Sequence, residues 1–112
     1  MKRVIKLAIL TLAIALFGTQ SVDARGSLGL IETFSAASAI KAADIAVKTA
    51  RVEIYDLRVS RGMGGKGVVL FVGEVGDVTA ATEAGADYAR SVASLSATSV
   101  IAAPHEELWR QL

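Results

Sequence analysis

No cysteine occurs in this chain of 112 residues, and it has one histidine, one proline and one tryptophan. The missing thiols exclude disulfides and thiolate metal sites, and His105 cannot assemble a zinc or iron centre by itself. Aromatic residues make up 5% of the chain, and twelve Lys and Arg are offset by eleven Asp and Glu. Stacking platforms and a basic field for nucleic acid are therefore both absent. An enzyme made from this set would have to work with carboxylates or lysines, and no nucleophile and base candidates cluster on a motif. The expectation is a chain with no catalytic residues, no metal and no cofactor.

What is plentiful is aliphatic. Hydrophobic residues are 53% of the chain, so the core of one domain has to be built from Ala, Val, Ile and Leu. At the start, Lys2, Arg3 and Lys6 precede an apolar run from Leu7 to Phe17, with Val22 and Ala24 as small residues ahead of Arg25. That local pattern favours a cleaved export signal. The other reading is a buried or interfacial helix. The run is too short for a comfortable membrane span, which argues against a membrane partner. Two segments result: 1–25, apolar, and 26–112, the domain.

Gly62-Met63-Gly64-Gly65-Lys66-Gly67 holds four glycines in six residues between two strand-like runs. Reversing the chain needs only two residues, so the extra glycines suggest unusual backbone angles or close approach by something else. It is no phosphate loop, because Gly67 stands where Ser or Thr is needed and a strand follows.

Ser27–Thr33 predicts a buried strand, in which Gly29 hints at a close neighbour. Ser35 is placed to cap a helix over Ala36–Ala50, with Ala39, Ile40, Ala43, Ala46, Val47 and Ala50 on one face. Lys41, Asp44 and Lys48 occupy the other face, Asp44 and Lys48 at a spacing that favours the helix. Arg51–Ser60 alternates as a second strand. Val68–Val72 is apolar throughout, as expected of a central strand covered on both faces. Asp77 is expected to cap a second helix from Val78 to about Leu95, with Val78, Ala81, Ala84, Tyr88 and Val92 as its apolar stripe. Ser99–Ala103 predicts a fourth strand, broken by Pro104, and His105–Leu112 a short helix. The fold class is α+β: a ferredoxin-like β-α-β-β-α-β order with an antiparallel sheet, preceded by an apolar N-terminal helix. Such a fold serves many activities and does not fix one.

Several separated pieces stand in a specific order: Leu28–Thr33, Ala42-Ala43-Asp44 with Lys48, the glycine loop, Gly73–Val78, Glu83–Ala86 and Pro104–Glu107. Together they resemble the bacterial microcompartment (BMC) shell-protein family, from Ser27 to Leu112. Ile31–Ser35, Gly62–Lys66, His105–Arg110 and the linker-like Ser21-Val22-Asp23 are most similar to the second domain of its tandem-domain, trimeric members from propanediol-utilisation compartments. The resemblance implies a structural, non-enzymatic protein. It forms homo-hexameric tiles that join edge to edge with other shell proteins in the cytoplasm.

By the same resemblance, the loop Gly62, Met63, Gly64, Gly65, Lys66 and Gly67 lines a central pore for small metabolites. In the cluster-binding tandem members a cysteine after Gly-Gly-Lys ligates an iron–sulfur cluster; here that position is Gly67. Lys48, with Asp44, corresponds to the tile edge, where Ala103 stands for an arginine before Pro104 and His105. From the residues alone, Lys66 and Lys48 read equally as solvated lysines and His105 as a structural histidine; Glu32 reads as ordinary, and Trp109 as a candidate subunit contact. A cytoplasmic shell reverses the export preference, so 1–25 is expected to replace, or to be the eroded remnant of, a first domain, forming a helix against the tile. An exported small binding protein is the alternative.

Overall fold

Seven elements make up residues 26–59 and 64–112, the part that the computed structural model describes. They are β1 (Ser27–Thr33), α1 (Ala36–Thr49), β2 (Val52–Val59), β3 (Gly67–Gly73), α2 (Val75–Ser91), β4 (Leu95–Ile101) and α3 (Glu106–Gln111). The strands form one sheet in the order β2-β3-β1-β4, each neighbouring pair antiparallel. The expected β-α-β-β-α-β order is therefore present, with β3 inside the sheet. The expected N-terminal helix falls in 1–25, outside the described residues.

Side chains alternate across the sheet and so create two cores. Ile31, Val69 and Phe71 meet Ala42, Ala43, Ala46, Val78 and Ala81 on the side covered by α1 and α2. Helix α1 is capped as its sequence suggests: the Ser35 hydroxyl accepts the Ser38 N–H at 3.2 Å. Its buried face is Ser38, Ala39, Ala42, Ala43 and Ala46, leaving Ile40 exposed, because the helix turns its smallest residues towards α2. A Cβ on Gly85 would lie 2.6 Å from Ile31 Cδ1 and 2.9 Å from the Ala42 carbonyl oxygen. Gly85 thus permits the two helices to touch. Gly29 has a similar role beneath α2, with Val78 and Thr82 closing over it.

The second core lies on the other face of the sheet. Leu28 and Leu70 pack there against Trp109, which is 4% exposed. The Trp109 ring is 5.7 Å from that of Tyr55, tilted at 59°. Trp109 is therefore a core residue of its own chain and not the exposed anchor that its terminal position suggests. It reaches the sheet because α3 folds back after Pro104, and because β2 carries a bulge. The register jumps between Ile54 and Asp56, which stand opposite the consecutive residues Phe71 and Leu70. A bulge of this kind re-aims a side chain, here towards Trp109.

Two elements differ from expectation in their bounds. Helix α2 begins at Val75 with Glu74 as its N-cap, so Asp77 lies in its first turn, where its charge still suits the helix dipole. The helix ends at Ser91 because Ala93 takes a positive φ of 55°, and the Ser94 N–H then returns to the Ala89 carbonyl at 2.8 Å. Its stripe follows Val78, Ala81, Thr82, Gly85, Ala86 and Ala89, not Val92, which is exposed. Strand β4 starts at Leu95 and ends at Ile101, earlier than Ser99–Ala103. Pairing with β1 recruits Ser96 to Thr98, which show no apolar alternation.

Candidate functional site

The hairpin between β2 and β3 leaves from Val59 and returns at its partner Gly67. Ser60–Met63, including Gly62 and Met63, lie outside the described residues. Gly64 and Gly65 have φ of 63° and 87°, a left-handed backbone that disfavours any side chain. A Cβ on either would meet no atom of the described residues within 4 Å. Their glycine character therefore answers to backbone conformation and not to crowding within the chain. Gly67 is the reverse case. It begins β3 and is buried, and a Cβ there would lie 2.4 Å from the Ala39 Cβ and 3.3 Å from the Thr33 hydroxyl. Of the glycines expected in the loop, Gly67 faces α1 and not the open side.

Lys66 does not stand free. Its ammonium lies 3.9 Å from Glu32 Oε1 and 5.7 Å from the centre of the Phe34 ring. The Ser96 hydroxyl donates to the same Glu32 oxygen at 2.7 Å. Ser96 reaches it through a second bulge, where the register of β4 against β1 shifts between Glu32 and Thr33. The sequence gives no reason to join Glu32, Phe34 and Ser96 to the loop. They become neighbours only through the pairing of β1 with both β3 and β4.

The remaining candidates lie at the opposite end of the sheet. Val52, Gly73, Ser27 and the pair Leu28 and Ile101 mark that end, whereas Val59, Gly67, Thr33 and Leu95 mark the loop end. Lys48 sits in the last turn of α1, just before β2, and pairs with Asp44 Oδ2 at 2.8 Å. The pair is exposed, so it adds only about 0.3–0.5 kcal/mol. Ala103 lies exposed in the bend after β4. His105 caps α3, its Nδ1 accepting the Glu107 N–H at 3.0 Å, the structural role its position suggests. Among the described residues, no three His, Cys, Asp or Glu side chains gather as metal ligands, and no helix is long and apolar enough to cross a membrane.

Residues 27–104 match the BMC domain. The chain is 40% identical over 98 residues to the bacterial microcompartment shell protein PduT of Citrobacter freundii, covering 88% of this chain and 53% of that protein. It is 42% identical over 88 residues to the shell protein PduA of the same organism, covering 77% and 90% of the two chains. To the carboxysome shell protein CsoS1A of Hydrogenovibrio crunogenus it is 45% identical over 85 residues, covering 73% and 84%. A crystal structure of a microcompartment protein from Desulfitobacterium hafniense DCB superposes with a TM-score of 0.74 at 42% identity, covering 76% of this chain and 47% of that one. The chain thus spans about half the length of PduT and of the D. hafniense protein.

Proposed function

Because this chain belongs to the BMC-domain family of microcompartment shell proteins, we propose that it is a structural, non-catalytic shell subunit. It assembles with copies of itself into a cyclic hexamer, and with other shell proteins into the wall of a microcompartment in the cytoplasm. Around the hexamer axis the glycine loop frames a passage for small metabolites, and Lys48, Asp44, Ala103 and His105 lie at the outer edge of the tile.

Strand β4 is the observation that carries the assembly. It is an edge strand of seven residues without a charge, most of them exposed, including Val100 and Ile101. An isolated domain protects such an edge with charge, proline or a cover, since open backbone groups beside apolar side chains invite another chain. A second copy supplies that cover. The placement of the loop and of Lys48 at opposite ends of the sheet also suits an axis and a perimeter. Open space around Gly64 and Gly65 suits loops that converge from several subunits.

The reading is tested on the full chain by native mass spectrometry, where six copies are expected and a monomer at high concentration overturns it. Gly64→Trp, whose Cβ would meet no atom of the described residues within 4 Å, is expected to slow solute release from assembled shells. Unchanged release would remove the loop from the passage. The exported-binder alternative draws no support from the relatives, and the segment it rests on lies outside the described residues.

A further inference from the structure

We infer that Glu32 sets the charge selectivity of the loop by cancelling Lys66. The inference rests on the passage proposed above and adds a residue that determines what crosses it. Four side chains carry it, Glu32 from β1, Phe34 just after it, Ser96 from β4 and Lys66 from the loop. Lys66 lies 3.9 Å from Glu32 Oε1 and 5.7 Å from the Phe34 ring centre, so both of its neighbours attract a cation. Glu32 is itself fixed, because the Ser96 hydroxyl holds its Oε1 at 2.7 Å, and Ser96 is aimed there by the β4 bulge. The ammonium is drawn back onto the sheet, and its charge is matched within the same chain. Side chains of Lys66 and Glu32 remain 42% and 31% exposed, so the pair still reaches solvent, where a passing solute senses its net charge.

An uncompensated lysine on each loop would favour small carboxylates and phosphates. The paired one offers a passing anion no net attraction, and selection falls to the backbone donors of Gly64 and Gly65, which suit uncharged hydroxyl and carbonyl solutes. Charges elsewhere in the chain are common to every variant, so comparison with the parent isolates this pair.

Two measurements on the full chain test this. Lys66 acylation by an acetylating reagent, read by peptide mass spectrometry, is expected to quicken in Glu32→Gln, because the side chain is no longer held against β1 by the carboxylate 3.9 Å away. In shells loaded with acetate and glycerol, the ratio of acetate to glycerol release is expected to rise roughly fivefold in Glu32→Gln. It should rise less in Ser96→Ala, where Glu32 keeps its charge but loses its anchor. The double variant Glu32→Gln/Lys66→Met should return to the parent ratio. Unchanged Lys66 reactivity overturns the pairing. Quickened acylation with an unchanged release ratio overturns the role in selectivity and leaves the passage intact. Parent shells that release neither solute overturn the passage itself, and this inference with it.

Discussion

The sheet has two open edges, and they are built in opposite ways. Strand β2 spreads Glu53, Asp56 and Arg58 along eight residues, joins the last two by an ion pair of 2.7 Å, and breaks its own regularity with the bulge at Tyr55. Strand β4 carries no charge at all and leaves Val100 and Ile101 39% and 38% exposed. Charge and bulges are how a sheet edge repels a further strand. An edge with neither along most of its length is suited to being covered. On the proposed assembly the two flanks have different neighbours, water or a salt-bridging partner beside β2 and a closely packed copy beside β4.

The largest expected effect comes from placing a charge on the bare edge. Val100→Asp should dissolve the hexamer into monomers, since burial of an unpaired charge costs several kcal/mol at each contact. Leu57→Asp on β2 should leave the assembly whole. Native mass spectrometry of both variants decides the matter, and the opposite pattern would exchange the roles of the edges. Next in size is Gly67→Ala, which forces a methyl group against Ala39 at the β3 end of the hairpin. Thermal or denaturant unfolding should show a loss of about 1–3 kcal/mol.

Ala93→Gly sharpens the β4 side in the other direction. Ala93 holds a φ of 55° at the turn that leads into that strand, so glycine should stabilise the fold by about 1 kcal/mol, seen as a higher melting temperature. The smallest effect on the fold belongs to Lys48→Ala. Loss of its exposed pair with Asp44 should cost about 0.3–0.5 kcal/mol and leave the hexamer intact, while electron microscopy should show no extended sheets. Sheets like those of the parent would remove Lys48 from the tile edge.

Much of the scaffold was legible because local signals agreed. Ser27–Thr33, the Ser35 cap and the uniformly apolar Val68–Val72 each state their environment through period or capping chemistry, and the structure follows them. The start of α2 was hidden because Asp77 is a better cap by residue type than Glu74, although the helix begins before it. The start of β4 was hidden because Ser96, Ala97 and Thr98 express no period, and β1 dictates their conformation. The Tyr55 bulge did leave a mark. Ile54 and Tyr55 are adjacent apolar residues in an otherwise alternating run, which is the slip of phase that an extra residue produces. The partners of Lys66 left none, since Glu32 and Ser96 are 64 residues apart in the chain and meet only through strand register.

The close fit of Gly67 beneath Ala39 has a consequence for anyone who would redesign this loop. A metal-binding or redox-active side chain placed directly after Lys66 finds its space already taken by a methyl group 2.4 Å from where its own Cβ must sit. The obstacle belongs to helix α1 and not to the loop, so changing the loop alone brings strain without function. Position 39 and position 67 form a single design unit: a new side chain at one requires the other to shrink to glycine, or the helix to move away from the sheet.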